Sequence, residues 1–200
     1  MQKRNYHREM LQILAQITPG EELLLHACCG PCSSAVLERL SSVFAITLLY
    51  ANSNIWPREE YIRRRDEQSA LLAQLPPAYP ARFVEEEYNH DLFLAAAEAL
   101  AGEPEGGARC EVCFRLRLSA AARYAKAAGI RRFTTTLSVS PHKNAALLNA
   151  LGEEIAAAEG LLYLPSDFKK DNGYLRSLQL SAEYGLYRQD YCGCEFSRAR

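Results

Sequence analysis

Two apolar spacings alternate along the chain. Short, nearly unbroken runs of Leu, Ile, Val, Phe and Thr occur at residues 22–27 (ELLLHA), 44–51 (FAITLLYA), 133–139 (FTTTLSV) and 161–165, with a weaker one at 82–86. Each is short enough for a strand and apolar enough to be covered on both faces. Between them lie stretches of helical period: 33–40, a helix from Pro57 to about residue 75, an Ala-rich segment at 91–101, residues 108–128, and 174–184. Pro57 near the first turn and acids Glu59 and Glu60 mark the start of one helix, and Pro76-Pro77 its stop. Gly129 ends another, and Ser140-Pro141 is expected to cap a helix running to about residue 159.

This βαβα rhythm predicts an α/β protein: a Rossmann-like parallel sheet with helices on both faces and a helical C-terminal segment. Ligands in such sheets sit outside the carboxyl ends of the strands. Four segments follow strands on that side: the turn at 28–32, the Asn52-Ser53-Asn54 loop, residues 134–140 and residues 166–170. With 48% hydrophobic and 24% charged residues, no repeat and no linker, one domain over 1–200 is expected. The amphipathic start, MQKRNYHREMLQIL, lacks the apolar core and cleavage site of a signal peptide, and no run is long enough to span a bilayer, so a cytoplasmic protein without a membrane partner is expected.

Charge narrows the partners. A net charge of −1 gives no global basic signature, so any nucleic acid must be held by local patches. Basic residues gather at 63–65, 115 and 117, 131–132 and 169–170, and recur singly at Arg176, Arg188, Arg198 and Arg200. Most such groups are solvated helix faces; Lys169-Lys170 lies closest to the expected site rim.

The seven cysteines change the picture most. They fall into three clusters, Cys28-Cys29-x-x-Cys32, Cys110-x-x-Cys113 and Cys192-Gly193-Cys194. Such spacings bring sulfurs within reach of one metal or of each other, and in a reducing compartment metal ligation or thiol chemistry outweighs structural disulfides. Cys32 opens a helix, where unpaired N–H groups favour thiolate. Cys110 and Cys113, three apart near a helix start, share one face and can join Cys28 and Cys29 in a four-thiolate site. Ligand count alone permits zinc and 4Fe-4S equally. The CxC pair closes a very small ring if oxidised, which suits a two-electron shuttle or a second chelating pair. His26 and His142 can bind metal or move protons, but a histidine inside a strand is more often a satisfied core residue.

Six stretches together, LLHACCGPCSS, EYIRRRDEQ, GGARCEVCFRLRL, FTTTLSVSPHKNA, LPSDFKKDNGYLRS and EYGLYRQDYCGCEFS, resemble the QueH family of epoxyqueuosine reductases, over almost the whole chain. The likeness implies an adenine-nucleotide α-hydrolase (HUP) type of fold. It implies an oxidoreductase that reduces the epoxide of epoxyqueuosine at the tRNA wobble position to queuosine, with an iron-sulfur cluster and an unidentified electron donor. By motif, it implies that Cys28, Cys29, Cys110 and Cys113 hold a 4Fe-4S cluster and that Cys192 and Cys194 form the redox-active pair, with an additional iron as a further expectation. Asn52-Ser53-Asn54 stands where the family more often has Asn-Pro-Asn.

Removing an epoxide oxygen takes two electrons and two protons. The expected scheme has an iron or the cluster polarising that oxygen while electrons arrive through the cluster and the CxC pair. Asp167, Asp190, Tyr191 and His142 are candidate proton donors or ligands of a second metal, and Trp56, Tyr61, Lys169, Lys170 and Arg176 candidate contacts to the anticodon loop. Two rivals are a non-catalytic zinc module and an ATP-dependent tRNA thiolation enzyme of the same fold. Against the latter, the loop after the first strand reads HACCGPCSS, not a phosphate-binding SGGxDS.

Overall fold

The computed structural model describes residues 4–75, 78 and 80–198. Five strands, β1 (Glu21–Ala27), β2 (Phe44–Tyr50), β3 (Ala81–Glu85), β4 (Arg132–Thr135) and β5 (Leu162–Tyr163), form one all-parallel sheet in the order β3-β2-β1-β4-β5. The helices are α1 (Tyr6–Leu14), α2 (Gly30–Leu40), α3 (Arg58–Gln74), α4 (His90–Ala97), α5 (Ala108–Ala127), α6 (Ala145–Glu159), α7 (Gly173–Glu183) and α8 (Glu195–Arg198). This is the expected Rossmann-like architecture.

Side-chain alternation along β1 explains the two layers. Leu23, Leu25 and Ala27 point into a core shared with Met10 of α1, Val36, Leu37 and Leu40 of α2, and Leu71 of α3. Leu24 points to the opposite face, against Leu118 and Ala121 of α5 and Leu148 and Leu151 of α6. All four β1 residues are fully buried. Each buried Leu contributes about 1.5–3 kcal/mol, which is why a central parallel strand reads as an unbroken apolar run.

Three boundaries depart from the sequence reading. The run at 133–139 is a strand only to Thr135, and Thr136–Val139 is a 3-10 turn. Thr135 Oγ1 accepts the Leu137 N–H, and Thr136 Oγ1 accepts the Cys28 N–H, so both hydroxyls leave the strand pattern to satisfy neighbouring backbone. Helix α6 starts at Ala145, capped by Asn144 rather than Ser140, because the Asn144 carbonyl oxygen accepts the N–H groups of Ala146 and Leu147. The last strand is only two residues long. The Gly129 stop holds: Gly129 has φ 73°, and the Ile130 N–H returns to Ala125 O. The Pro76-Pro77 stop and Arg200 lie outside the described residues.

Strand order reverses between β1 and β4, and at such a switch point the diverging connections leave a crevice at the carboxyl edge. No described helix is long and apolar enough to cross a membrane.

Candidate active site

At that crevice β1 ends and α2 begins. Cys29 is extended at the N-cap, with Pro31 in the first turn of the helix. The turn folds the three thiols of Cys28, Cys29 and Cys32 together, their sulfurs all within 4.8 Å of one another. Cys28 and Cys29 sulfurs are 3.7 Å apart. Hydrogen bonding from Cys29 and Cys32 holds the Cys28 thiol well below its usual range against the opposing effect of burial, with help from the Arg117 charge. The Cys28 contact, with burial, pushes Cys29 up to about 12, and contacts with Cys28 and Cys29, with burial, push Cys32 well above the normal thiol. Within the triad the thiolate is thus favoured on Cys28 over Cys29 and Cys32. Gln189 Nε2–H also donates to the Cys29 sulfur at 3.0 Å.

Helix α5 brings the second pair. Cys110, Cys113 and Arg117 sit at i, i+3 and i+7 on one face, all buried. Arg109, 2% exposed, fixes the loop ahead of the helix by donating to Ala101 O at 2.8 Å and Glu103 O at 2.5 Å. Arg117 donates to Asn52 Oδ1, and Asn52 Nδ2 donates to Ala27 O at 2.8 Å, so α5 is locked to the ends of β1 and β2. Burial works against the Arg117 charge, but the surrounding Cys113, Cys28 and Cys192 sulfurs raise its pKa. Burial also pushes the Cys113 thiol up to about 12 despite Arg117.

The third pair arrives on the segment after α7. Gly193, between Cys192 and Cys194, has φ 109°; a Cβ there would stand 2.9 Å from Arg64 Nη1 and 3.2 Å from Ile55 Cγ1. Only glycine fits. Its carbonyl accepts the Trp56 N–H at 2.8 Å, and Cys192 O accepts from Arg64 Nη1 at 3.2 Å. Cys192 Sγ lies 3.2 Å from Lys143 Nζ, which also binds Glu105 Oε1 at 3.0 Å. Cys194 is buried against Phe93, Ala97 and Cys113. Both are free thiols. A cavity of about 510 Å³ opens over Cys28, Cys32 and Cys192, walled by Arg117, Lys143 and the 3-10 turn after β4.

Comparison with known proteins decides what this constellation belongs to. The family model for epoxyqueuosine reductase QueH matches residues 23–200. Proteins of that name from Streptococcus pyogenes serotype M1 and Staphylococcus epidermidis are 40% and 39% identical over 202 and 203 residues, with 98% of this chain and 79% and 85% of theirs aligned. Another from Thermotoga maritima is 32% identical over 180 residues, covering 88% of this chain and 89% of its own.

The chain belongs to the QueH family.

Within this QueH-family chain the expected site residues divide. Cys28, Cys29 and Cys32 come together as a triad, which Cys110 and Cys113 do not join at 4.8 Å; Cys32 is a full member, but its neighbours and burial raise its thiol, so the thiolate expected at this helix start is favoured on Cys28 instead. His142, Asp190 and Tyr191 line the cavity, whereas Asp167 pairs with Lys169 at 2.7 Å away from it. His26 is the core histidine expected. Its Nε2–H donates to Ala51 O at 3.2 Å, which leaves Nδ1 to accept from the Thr135 hydroxyl at 2.8 Å. Burial, then Arg117, drops its pKa to about 3, so it stays neutral. Tyr61 cannot stack on RNA: it is 2% exposed and its hydroxyl donates to Glu85. Arg176 is bound to Glu38 at 2.6 Å, beside a different hollow between α2 and α7.

Sequence reasoning counted Arg64 and Arg117 only among basic clusters and did not single out Lys143 or Gln189. Arg117 carried a usable signal, since it continues the Cys110/Cys113 helix face, unlike Arg115, which turns outward to Glu154. Lys143 and Gln189 reach their sulfurs from other elements and left no local mark.

Proposed function

We propose that this chain reduces the epoxide of epoxyqueuosine in tRNA to the cyclopentene of queuosine, with Cys192 and Cys194 as the redox pair. Membership of a family of reductases supports the reaction class and argues against both the zinc module and the thiolation enzyme. The observation that carries the reading of the site is that Cys192 opens into the same cavity as Cys28 and Cys32.

The balance is simple. Oxidising the two thiols to a disulfide releases two electrons and two protons; the epoxide takes up both and loses its oxygen as water. Lys143, 3.2 Å from the Cys192 sulfur, holds that thiol at the cavity wall. Arg117 sets a positive charge beside Cys28, the thiol favoured as thiolate. His142, Asp190 and Tyr191 are the cavity groups able to deliver protons.

The donor set suits a soft iron-sulfur group: three clustered sulfurs at the β1–α2 turn, one of them favoured as thiolate, and two more buried on α5. Cys28, Cys29, Cys110 and Cys113 are the proposed holders of a 4Fe-4S cluster, which supplies single electrons when bound. Cys32 and Asp190 share the cavity and are candidates for an additional iron.

Anaerobic purification with iron, sulfide and visible-spectrum analysis tests the cofactor. Brown protein with about four iron and four sulfide, lost in Cys110→Ala, is expected; colourless protein with about one zinc would reject it. Single-turnover reduction of epoxyqueuosine-containing tRNA tests the pair: Cys192→Ala should abolish it, and full activity in that variant would exclude the dithiol.

A further inference from the structure

Beyond the cysteine cavity lies a surface that the reaction does not use. Helix α3 begins beside the C-terminal segment, and between them is a second hollow of about 580 Å³ bounded by Arg63, Tyr187, Asp190, Tyr191 and Arg198. Asp190 and Tyr191 also wall the cysteine cavity, so the two hollows adjoin at these residues. The floor is made of stacked flat groups. The Arg63 guanidinium lies 3.3 Å from the Tyr187 ring centroid, and that of Arg198 stands over both Trp56 and Tyr191, at 5.9 and 5.8 Å. Tyr191 is pinned by its hydroxyl, which donates to Trp56 O at 3.2 Å. Trp56 is 41% exposed and, among the described residues, the only exposed large hydrophobic in this neighbourhood; Leu11, Leu92, Leu162 and Leu175 lie on other elements.

We infer that this aromatic and guanidinium platform is the docking surface for unpaired RNA nucleotides flanking the one that enters the cysteine cavity. The inference rests on the tRNA reading above and assigns a surface to it.

Unpaired bases are bound by stacking on aromatic rings and guanidinium planes, with backbone phosphates meeting the cations. The platform offers both, with the Arg63 guanidinium against the Tyr187 ring at 3.3 Å and that of Arg198 at 5.9 and 5.8 Å from the Trp56 and Tyr191 rings. A protein partner would call for a broad apolar patch with a polar rim; here a single tryptophan projects among charges. Glu59, Glu60 and Asp190 also line the hollow; Glu60 is engaged with Arg64 at 2.7 Å, and Arg63 and Arg198 are the exposed cations that meet backbone phosphates. Tyr191 borders both hollows and is hydrogen-bonded to Trp56, so a strand leaving the cavity over that ring reaches Trp56 next.

Trp56 is the only tryptophan in the chain, so its fluorescence reports the platform directly. The probe is an unmodified RNA stem-loop with guanosine at the wobble position, and a fully paired duplex is the control. Saturable quenching by the stem-loop, absent with the duplex, is expected. Read by filter binding of labelled RNA, because these variants lack the fluorophore, Trp56→Ala should weaken stem-loop affinity between about fivefold and a hundredfold, the range of one base-stacking contact, while Trp56→Phe keeps most of it. Arg198→Gln should lower the salt slope of binding by about one. Unchanged affinity in Trp56→Ala, or equal quenching by duplex, would overturn the proposal. Turnover of epoxyqueuosine-containing tRNA by the same wild-type preparation separates the two readings. Turnover with an indifferent Trp56→Ala sinks the platform alone; quenching without turnover upholds the RNA surface and sinks the reaction.

Discussion

Arg117 is a guanidinium inside the protein, 6% exposed, and its surroundings explain why it stays charged. Desolvating such a cation costs several kcal/mol unless opposite charge or hydrogen bonding compensates; here Asn52 Oδ1 and the Cys28 sulfur do so. Arg117→Met should therefore lower the single-turnover rate by about a hundredfold or more, the effect of removing one charge-stabilising donor. Arg117→Lys should not restore it, because a point charge cannot reach Asn52 and the sulfurs at once. Near-wild-type turnover in either variant would remove Arg117 from the machinery. Glu86 tests electrostatics away from the cysteines. Burial holds its carboxyl above the usual range, although Arg123 lies 3.8 Å away. The folded state thus keeps this proton to higher pH than the unfolded one, and the stability it lends is complete in acid and lost as pH rises through the folded value. Glu86→Gln should raise the melting temperature at about pH 7.5 and leave it unchanged near pH 4; equal shifts at both would contradict the burial argument.

At the scale of elements, the site is a meeting of ends. The β1–α2 turn, the first turns of α5, the 3-10 turn after β4 and the C-terminal segment each present one or more groups to a common crevice. The C-terminal segment is the least supported by regular structure, so Gly193 matters most there. Its φ of 109° and the 2.9 Å approach of Arg64 leave no room for a side chain. Gly193→Ala should shift the Cys192 loop, lowering turnover at least about tenfold, since misplacing a reacting group by an ångström costs that much or more. Far-UV circular dichroism should not change, because the sheet does not depend on this segment. A fully active Gly193→Ala protein would mean that the loop geometry is not what aligns the pair.

For the whole molecule, the proposed cluster ligands join segments that are far apart in the chain, 28–29 and 110–113. A group bound only by the folded state stabilises it by mass action. Anaerobically loaded protein should melt higher than chelator-treated protein, Cys192→Ala should keep that difference, and Cys110→Ala should lose it. A difference that survived Cys110→Ala would move the ligand set off α5, and Cys32 would then be the first replacement to test.

What the chain determined alone was whatever depends on local backbone preference and on the period of burial. Strands β1 and β2 were legible because both faces are covered, and the ends of α3 and α5 because Pro57 and Gly129 act on their own turns. Cysteine spacing and the placement of 28–32 after a strand marked one half of the site for the same reason. Tertiary structure decided what depends on contacts between distant residues. Thr136 left the strand for the Cys28 backbone, Asn144 displaced Ser140 as a cap, and Tyr61 was taken into the core. Arg117 found Asn52 across 65 positions and Lys143 found Cys192 across 49. Local pattern reports whether a residue prefers water or a given backbone shape; which buried charge meets which sulfur depends on strand order and on where each element ends.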